Sequence, residues 1–164
     1  MSVNVSRLQF YDQNFVDRYV SIRDQYAIPP ELLEVAFTES IAFDNTALLL
    51  QTVARLKMAG FSCSIDDFGK GYSSLGLLKN LPIDVLKIDR WFFDEGPDQN
   101  KDMALVEGII DMVKKFDIRT VAEGIESMDQ VEYLKQIGCD YVQGYVFYRP
   151  MPQSEHEALI IQGV

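Results

Sequence analysis

Histidine, cysteine and positive charge are scarce in this 164-residue chain, which has one His, two Cys, and 15 Lys plus Arg against 25 Asp plus Glu, a formal net charge of −10. The single His156 lies in a polar C-terminal stretch. A Ser-His or Cys-His nucleophile would therefore have one candidate base and no obvious partner for it. Cys63 and Cys139 stand far apart among apolar neighbours and form no CxxC pair. That pattern predicts reduced, buried thiols in a cytosolic setting rather than a disulfide or a metal thiolate. The shortage of Lys and Arg argues against capture of a nucleic-acid backbone, so no DNA or RNA partner is expected. Long hydrophobic runs are also missing: stretches such as Ala47–Leu50 fall far below the roughly 18 residues of a membrane span. No charged-then-apolar leader opens the chain, and no GxGxxG turn, low-complexity segment or interdomain linker interrupts it.

What is present is an alternation of strand-like and helix-like segments in a chain that is 48% hydrophobic, enough to bury a core in one domain spanning 1–164. Strands are predicted at Val3–Val5, Leu33–Thr38, Phe61–Asp66, Asp84–Asp89, Arg119–Glu123 and Tyr141–Gln143. Helices are predicted over Phe15–Tyr26, Thr46–Ala59, Ser74–Leu81, Lys101–Phe116, Met128–Ile137 and Gln153–Ile161. Pro29 and Pro30 follow the first helix and Gly60 closes the second. Such a pattern implies a parallel sheet covered by helices, either doubly wound or rolled into a (β/α) barrel. The strands end in Asn4, Glu39, Asp66, Lys87, Glu123 and Gln143. A barrel gathers such ends at one mouth whereas an open sheet spreads them along a line, so the barrel is favoured.

The chemistry follows from the residue types. Residues two apart on a strand share a face, which groups Val35, Phe37 and Glu39, then Ser62, Ser64 and Asp66, with Cys63 and Ile65 toward the helices. Val85, Lys87 and Asp89 form another such set, as do Val121 and Glu123. A site holding Asn4, Glu39, Asp66, Asp67 and Glu123 would crowd four carboxylates, which raise each other's pKa unless cations intervene. Mg²⁺ or Mn²⁺ suits an all-oxygen set, and a two-metal site suits in-line attack of water on a phosphodiester. Lys87 would add positive charge near the attacking water or the phosphoryl oxygens. Taken singly, Asp66 or Asp67 also suits a helix N-cap, and Lys87 a structural ion pair.

The run Asp66-Asp67-Phe68-Gly69-Lys70-Gly71-Tyr72-Ser73-Ser74-Leu75 closely resembles the DDFGxGYSSL signature of EAL domains, the bacterial phosphodiesterases that hydrolyse cyclic di-GMP. Asn4-Val5-Ser6 resembles the family's NxS segment, Thr38-Glu39-Ser40 its TES segment, and Leu81 to Asp89 its LPxDxLKID stretch. Val121 to Glu126 is similar to VAEGxE, and Gln143-Gly144-Tyr145 with Arg149-Pro150 to QGYxxxRP, so the likeness runs end to end.

The resemblance implies a TIM-barrel-like EAL fold, a (β/α)8 barrel of which this chain holds about six of eight βα units, the first two strands being missing. It implies Asn4, Glu39 and Asp66 on one metal, and Asp66, Asp67 and Glu123 on a second. Lys87 would hold or polarise water, with Glu123 and Gln143 completing the catalytic set. Phe68, Gly69, Gly71, Glu126 and Arg149 would serve the substrate and the mobile loop. It also implies Mg²⁺ or Mn²⁺ as cofactor with Ca²⁺ inhibitory, linear pGpG as product, and a bacterial cytoplasmic location. A sensory or GGDEF domain would be linked in the parent protein.

Three features depart from the family pattern. The family's Glu-Ala-Leu segment on an earlier strand, whose Glu ligates metal, and the substrate-binding Arg shortly after it have no counterpart ahead of the Asn4 motif in this sequence. Ala42 stands where many active members carry a loop-steadying Glu, while Lys70 replaces a common Thr. The expectation is a domain that alone is inactive or weak, with exposed strand edges that favour a homodimer or other self-association. The alternative is a catalytically inactive module that binds cyclic di-GMP or contacts protein partners.

Overall fold

The computed structural model describes residues 1–70, 75–94 and 99–162, without the side chains of Leu75, Leu77 and Gln162. Gly71, expected in the loop after Asp67, lies outside the described residues. Among the described residues the strands are β1 (Ser2–Asn4), β2 (Glu34–Thr38), β3 (Ser62–Phe68), β4 (Val85–Ile88), β5 (Arg119–Ala122) and β6 (Tyr141–Val142). They form one sheet in the order β1-β2-β3-β4-β5-β6, every neighbouring pair parallel. Sequential order is what right-handed crossovers produce when they always step the same way around a barrel. The helices are α1 (Arg7–Phe10), α2 (Phe15–Gln25), α3 (Glu39–Asp44), α4 (Thr46–Met58), α5 (Leu75–Leu78), α6 (Gln99–Lys114), α7 (Met128–Gln136) and α8 (Gln153–Gln162), and 3₁₀ turns cover Pro30–Leu32 and Arg90–Phe93.

Helix periodicity explains which faces are buried. Leu49, Val53 and Leu56 of α4 and Val106, Ile110 and Val113 of α6 repeat at four- and three-residue steps, and all six are fully buried. Val35, Phe37, Cys63, Ile65 and Leu86 meet α2 and α4 in one core with Phe10, Phe15 and Val16. Phe10 and Phe15 stack edge-on against Phe37 with ring centroids 6.1 and 6.4 Å away. Ile88, Ala122 and Ile125 meet α6 and α7 in a second cluster with Phe92 and Leu134. The opposite strand parity turns inward. There Ser2 Oγ and Ser64 Oγ both donate to Glu34 Oε1, at 2.8 and 2.9 Å, across three strands.

Strands stand about 4.8 Å apart, so β1 and β6 of a flat six-stranded sheet would lie about 24 Å from each other. Instead Asn4 at the end of β1 and Gln143 just after β6 line one cleft together with Asp66 and Lys87. The sheet is therefore curled, a parallel six-strand half-barrel with β1 and β6 as its two edges.

The predicted elements are present with shifted ends. Strand β3 runs two residues beyond Asp66, to Phe68, through a register shift against β4 between Ile65 and Phe68. Glu39 is not a strand end but the first residue of α3, with Thr38 at its N-cap position. The short helix α1 escapes periodicity, because four residues contain barely one period. Its signal is the Ser6-x-x-Gln9 capping box, in which Ser6 Oγ accepts from Gln9 N at 3.2 Å and Gln9 Oε1 from Ser6 N at 2.9 Å.

Candidate active site

A cleft of ≈ 800 Å³ opens at the C-terminal ends of the strands, lined by Ser2, Val3, Asn4, Thr38, Asp66, Asp67, Lys87, Glu123 and Gln143. Strand register sets most of these positions: Thr38 pairs with Asp66 across β2 and β3, and Lys87 with Val121 across β4 and β5. Glu123 follows β5 directly and its N–H donates to Ile88 O at 2.9 Å, which fixes it beside Lys87. Gln143 is fixed likewise, its N–H donating to Ala122 O at 2.8 Å and its carbonyl accepting from Ile125 N at 3.1 Å. A Cβ on the adjoining Gly144 would stand 2.0 Å from Ile125 O, so only glycine permits this approach.

At the centre, Lys87 Nζ lies 3.2 Å from Glu123 Oε1 and 3.5 Å from Asp66 Oδ2. All three side chains are largely buried, at 8%, 17% and 10% relative exposure, so the ion pairs are only weakly screened. Burial, then the nearby Asp66 carboxylate, pushes Glu123 up to about 7, against the opposing pull of Lys87. Burial works against the Lys87 charge, but Glu123 and Asp66 outweigh it and hold the ammonium above its ordinary value. The result is a lysine that stays charged between two carboxylates that resist being charged together.

Asp67 adopts a left-handed backbone, φ +55, at the end of this arrangement. Its N–H donates to Asp66 Oδ1 at 2.9 Å, and its own carboxylate accepts from Lys70 Nζ at 2.6 Å. Gly69, φ +106, donates its N–H to Glu39 Oε2 at 2.9 Å. A Cβ there would fall 2.0 Å from the Phe92 ring.

The structure gathers Asn4, Asp66, Asp67, Lys87, Glu123 and Gln143 on one cleft and leaves several other predicted residues off it. Glu39 is buried at 4% exposure and holds the Gly69 amide, while its neighbour Thr38 takes the lining position. The helix start explains this, since β2 ends at Thr38 and α3 begins at Glu39, which takes the Glu39 side chain to the Gly69 amide. Phe68 is a core residue at 3% exposure. Glu126 is exposed, and its N–H donates to Gln130 Oε1 at 3.0 Å beside the α7 cap. Arg149 lies 4.9 Å over the Tyr145 ring, in a separate groove of ≈ 580 Å³ that shares Gln143 with the main cleft. Glu34 is absent from the residues expected at the site, yet its inward parity and hydrogen bonds to Ser2 and Ser64 set a polar layer below it; a charged residue at an alternating position of β2 is the signal that marks it.

Among the described residues, no three His, Cys, Asp or Glu side chains stand together in a metal-ready cluster. The donor chemistry nonetheless fits a hard divalent cation. Asn4, Asp66, Asp67 and Glu123 bring carboxylate groups and an amide carbonyl to the cleft, and the Glu123 pKa, raised by burial and then by the Asp66 charge, marks a site where added positive charge would be favourable.

Residues 1–150 match the family model described as EAL domain. The chain is 37% identical over 162 residues to the signaling protein YkoW of Bacillus subtilis and 36% identical over 160 residues to the cyclic di-GMP phosphodiesterase NbdA of Pseudomonas aeruginosa. These alignments take in 99% and 98% of the chain but 20% of each relative, so the chain spans about a fifth of their length. The solved c-di-GMP complex of the phosphodiesterase PaMucR superposes with a TM-score of 0.88 at 38% identity, over 94% of this chain and 69% of that one. On the family match, these identities and the shared half-barrel, the chain belongs to the EAL domain family.

Proposed function

We propose that this chain carries the catalytic cleft of a divalent-metal-dependent phosphodiesterase that hydrolyses cyclic di-GMP to linear pGpG. The observation that carries this reading is the Asp66–Lys87–Glu123 cluster, set in one cleft with Asn4, Asp67 and Gln143 in a chain of this family. Asn4, Asp66, Asp67 and Glu123 would hold Mg²⁺ or Mn²⁺, with Glu39 steadying the loop through Gly69. The bound metal supplies Lewis acidity toward the phosphoryl group and lowers the pKa of water.

The chain's own residues supply the rest. The Lys87 ammonium, kept charged by its two carboxylates, faces the negative charge that grows on the phosphoryl oxygens during in-line attack. Glu123 holds the Lys87 ammonium in place, its Oε1 3.2 Å from Nζ. Gln143 orients water or substrate through its side-chain amide. Water adds to phosphorus, the P–O bond to the ribose 3′ oxygen breaks, and the ring opens to pGpG with one proton passed to the leaving oxygen. The cleft is open between the β1 and β6 edges, so we expect slow turnover by this chain alone.

The test is incubation of purified chain with cyclic di-GMP and Mn²⁺, with product separated by chromatography. Slow pGpG formation that is lost in Asp66→Asn and Lys87→Ala supports the proposal. Product formation unaffected by both substitutions contradicts it. Binding without product at stoichiometric enzyme leaves a sensing module instead.

A further inference from the structure

Two lysines serve two carboxylate pairs at this cleft. Lys87 stands between Asp66 and Glu123, and Lys70 bridges Asp67 and Asp89 at 2.6 and 2.9 Å. The lysines differ in accessibility, with the Lys87 side chain at 8% relative exposure and that of Lys70 at 53%. Asp89 does not line the cleft. It is buried at 4% exposure, and its Oδ1 caps the Arg90–Phe93 turn by accepting from Trp91 N at 2.8 Å. It is thus a rigid anchor for Lys70 that makes no contribution to the lining. Asp67 does line the cleft, and its Oδ1 is the atom that Lys70 engages.

We infer that Lys70 is a built-in competitor that sets the divalent-cation affinity of the cleft by occupying Asp67. The inference rests on the reading of the cleft as a metal site. Its physical content is a conflict over one carboxylate: a lone pair directed at an ammonium 2.6 Å away is not available to a cation, and two positive charges on one carboxylate repel. The local backbone keeps the pair together. Asp67 and Lys70 are three residues apart in a turn with Lys70 N 3.4 Å from Asp67 O, while Gly69 between them is tied to Glu39. Asp89 gives the ammonium somewhere to stay when Asp67 is taken, so the competition costs one ion pair rather than two. That ion pair is half exposed, which makes the effect modest and graded rather than an on–off block.

The experiment is calorimetric titration of Mn²⁺ alone into the purified chain and its variants, with thermal unfolding to verify the fold of each. Lys70→Gln is expected to bind Mn²⁺ roughly 1.5- to fivefold more tightly than the parent chain, and Lys70→Arg about equally to it. In an Asp67→Asn background the gain from Lys70→Gln is expected to vanish, because the contested carboxylate is gone. Should Lys70→Gln fail to fold, Lys70→Thr takes its place with the same outcomes. Unchanged or weaker binding by Lys70→Gln, or a gain that persists without Asp67, overturns the inference. Asp66→Asn separates the two levels. If Mn²⁺ does not bind the parent chain, or binds regardless of Asp66→Asn, the metal-site reading fails and takes this inference with it. If Asp66→Asn abolishes binding and Lys70→Gln does not tighten it, only the role of Lys70 fails.

Discussion

The Lys87 ammonium stands 3.2 Å from Glu123 Oε1, at the third position of the fully buried four-residue strand β4, and keeps two largely buried acidic side chains together in the cleft. This pair joins the stability of the half-barrel to its chemistry. Replacing Lys87 by Met removes the cation but keeps the packing of its stem. Asp66 and Glu123 then face each other without compensation, and breaking such a largely buried pair costs about 3 kcal/mol. Thermal unfolding should show a clear loss of stability in Lys87→Met. Any pGpG formation should fall at least about a hundredfold, the scale of losing one preorganised charge at a reacting phosphoryl group. Unaltered stability would show that Lys87 is not the group that balances the two acids.

Gly69 gives a second expectation. With φ +106, and with the position a methyl group would take only 2.0 Å from Phe92, Gly69→Ala meets both backbone strain and a clash with a buried ring. A loss of roughly 1–3 kcal/mol is expected in chemical denaturation. The double variant Gly69→Ala with Phe92→Leu should recover part of it, the part that comes from the clash rather than from φ.

The two thiols should differ sharply. Cys63 is fully buried, and burial, with the Asp84 carboxylate nearby, pushes its pKa up to about 12. Cys139 is partly exposed. At pH 8 a thiol reagent should label one cysteine per native chain quickly and the second only on unfolding. The raised folded value also sets a sign: the unfolded thiol, with a pKa near 8.5, releases its proton first as pH rises. Stability therefore should fall with increasing pH above about 8.5 and be indifferent to this group below it. Rapid labelling of both thiols in the native chain would contradict the buried placement.

The sheet edges carry a further expectation. Strands β1 and β6 each have one paired neighbour, and Tyr141, Tyr145, Phe147 and Tyr148 are about half exposed beside β6. Unpaired edges next to apolar surface favour association. Light scattering across a concentration series should show dimers or larger species, whereas a strictly monomeric chain at high concentration would contradict this.

The order of strands and helices is legible because Leu49, Val53 and Leu56, and then Val106, Ile110 and Val113, repeat at helical steps while the strands between them do not. The motif residues Asp66, Lys87, Glu123 and Gln143 are legible as one site because parallel strands in sequential order bring their C-terminal ends together. What the sequence hides depends on single-residue parity and on long-range partners. Glu39 reads as a strand end, yet helix α3 starts at its position, which turns it to the Gly69 amide and leaves Thr38 on the cleft. Phe68 sits in the loop signature but is taken up by the core through the register shift of β3. The bridge from Lys70 to Asp89 spans two elements, and no local pattern announces it.

The most direct measurement is calorimetry of cyclic di-GMP binding with Ca²⁺ present, a cation expected to support binding without turnover. The parent chain is expected to bind with saturation only when the divalent cation is present, and Asp66→Asn and Lys87→Met are expected to lose that binding. Absence of binding, or binding indifferent to the cation and to both substitutions, would contradict the assignment of the cleft.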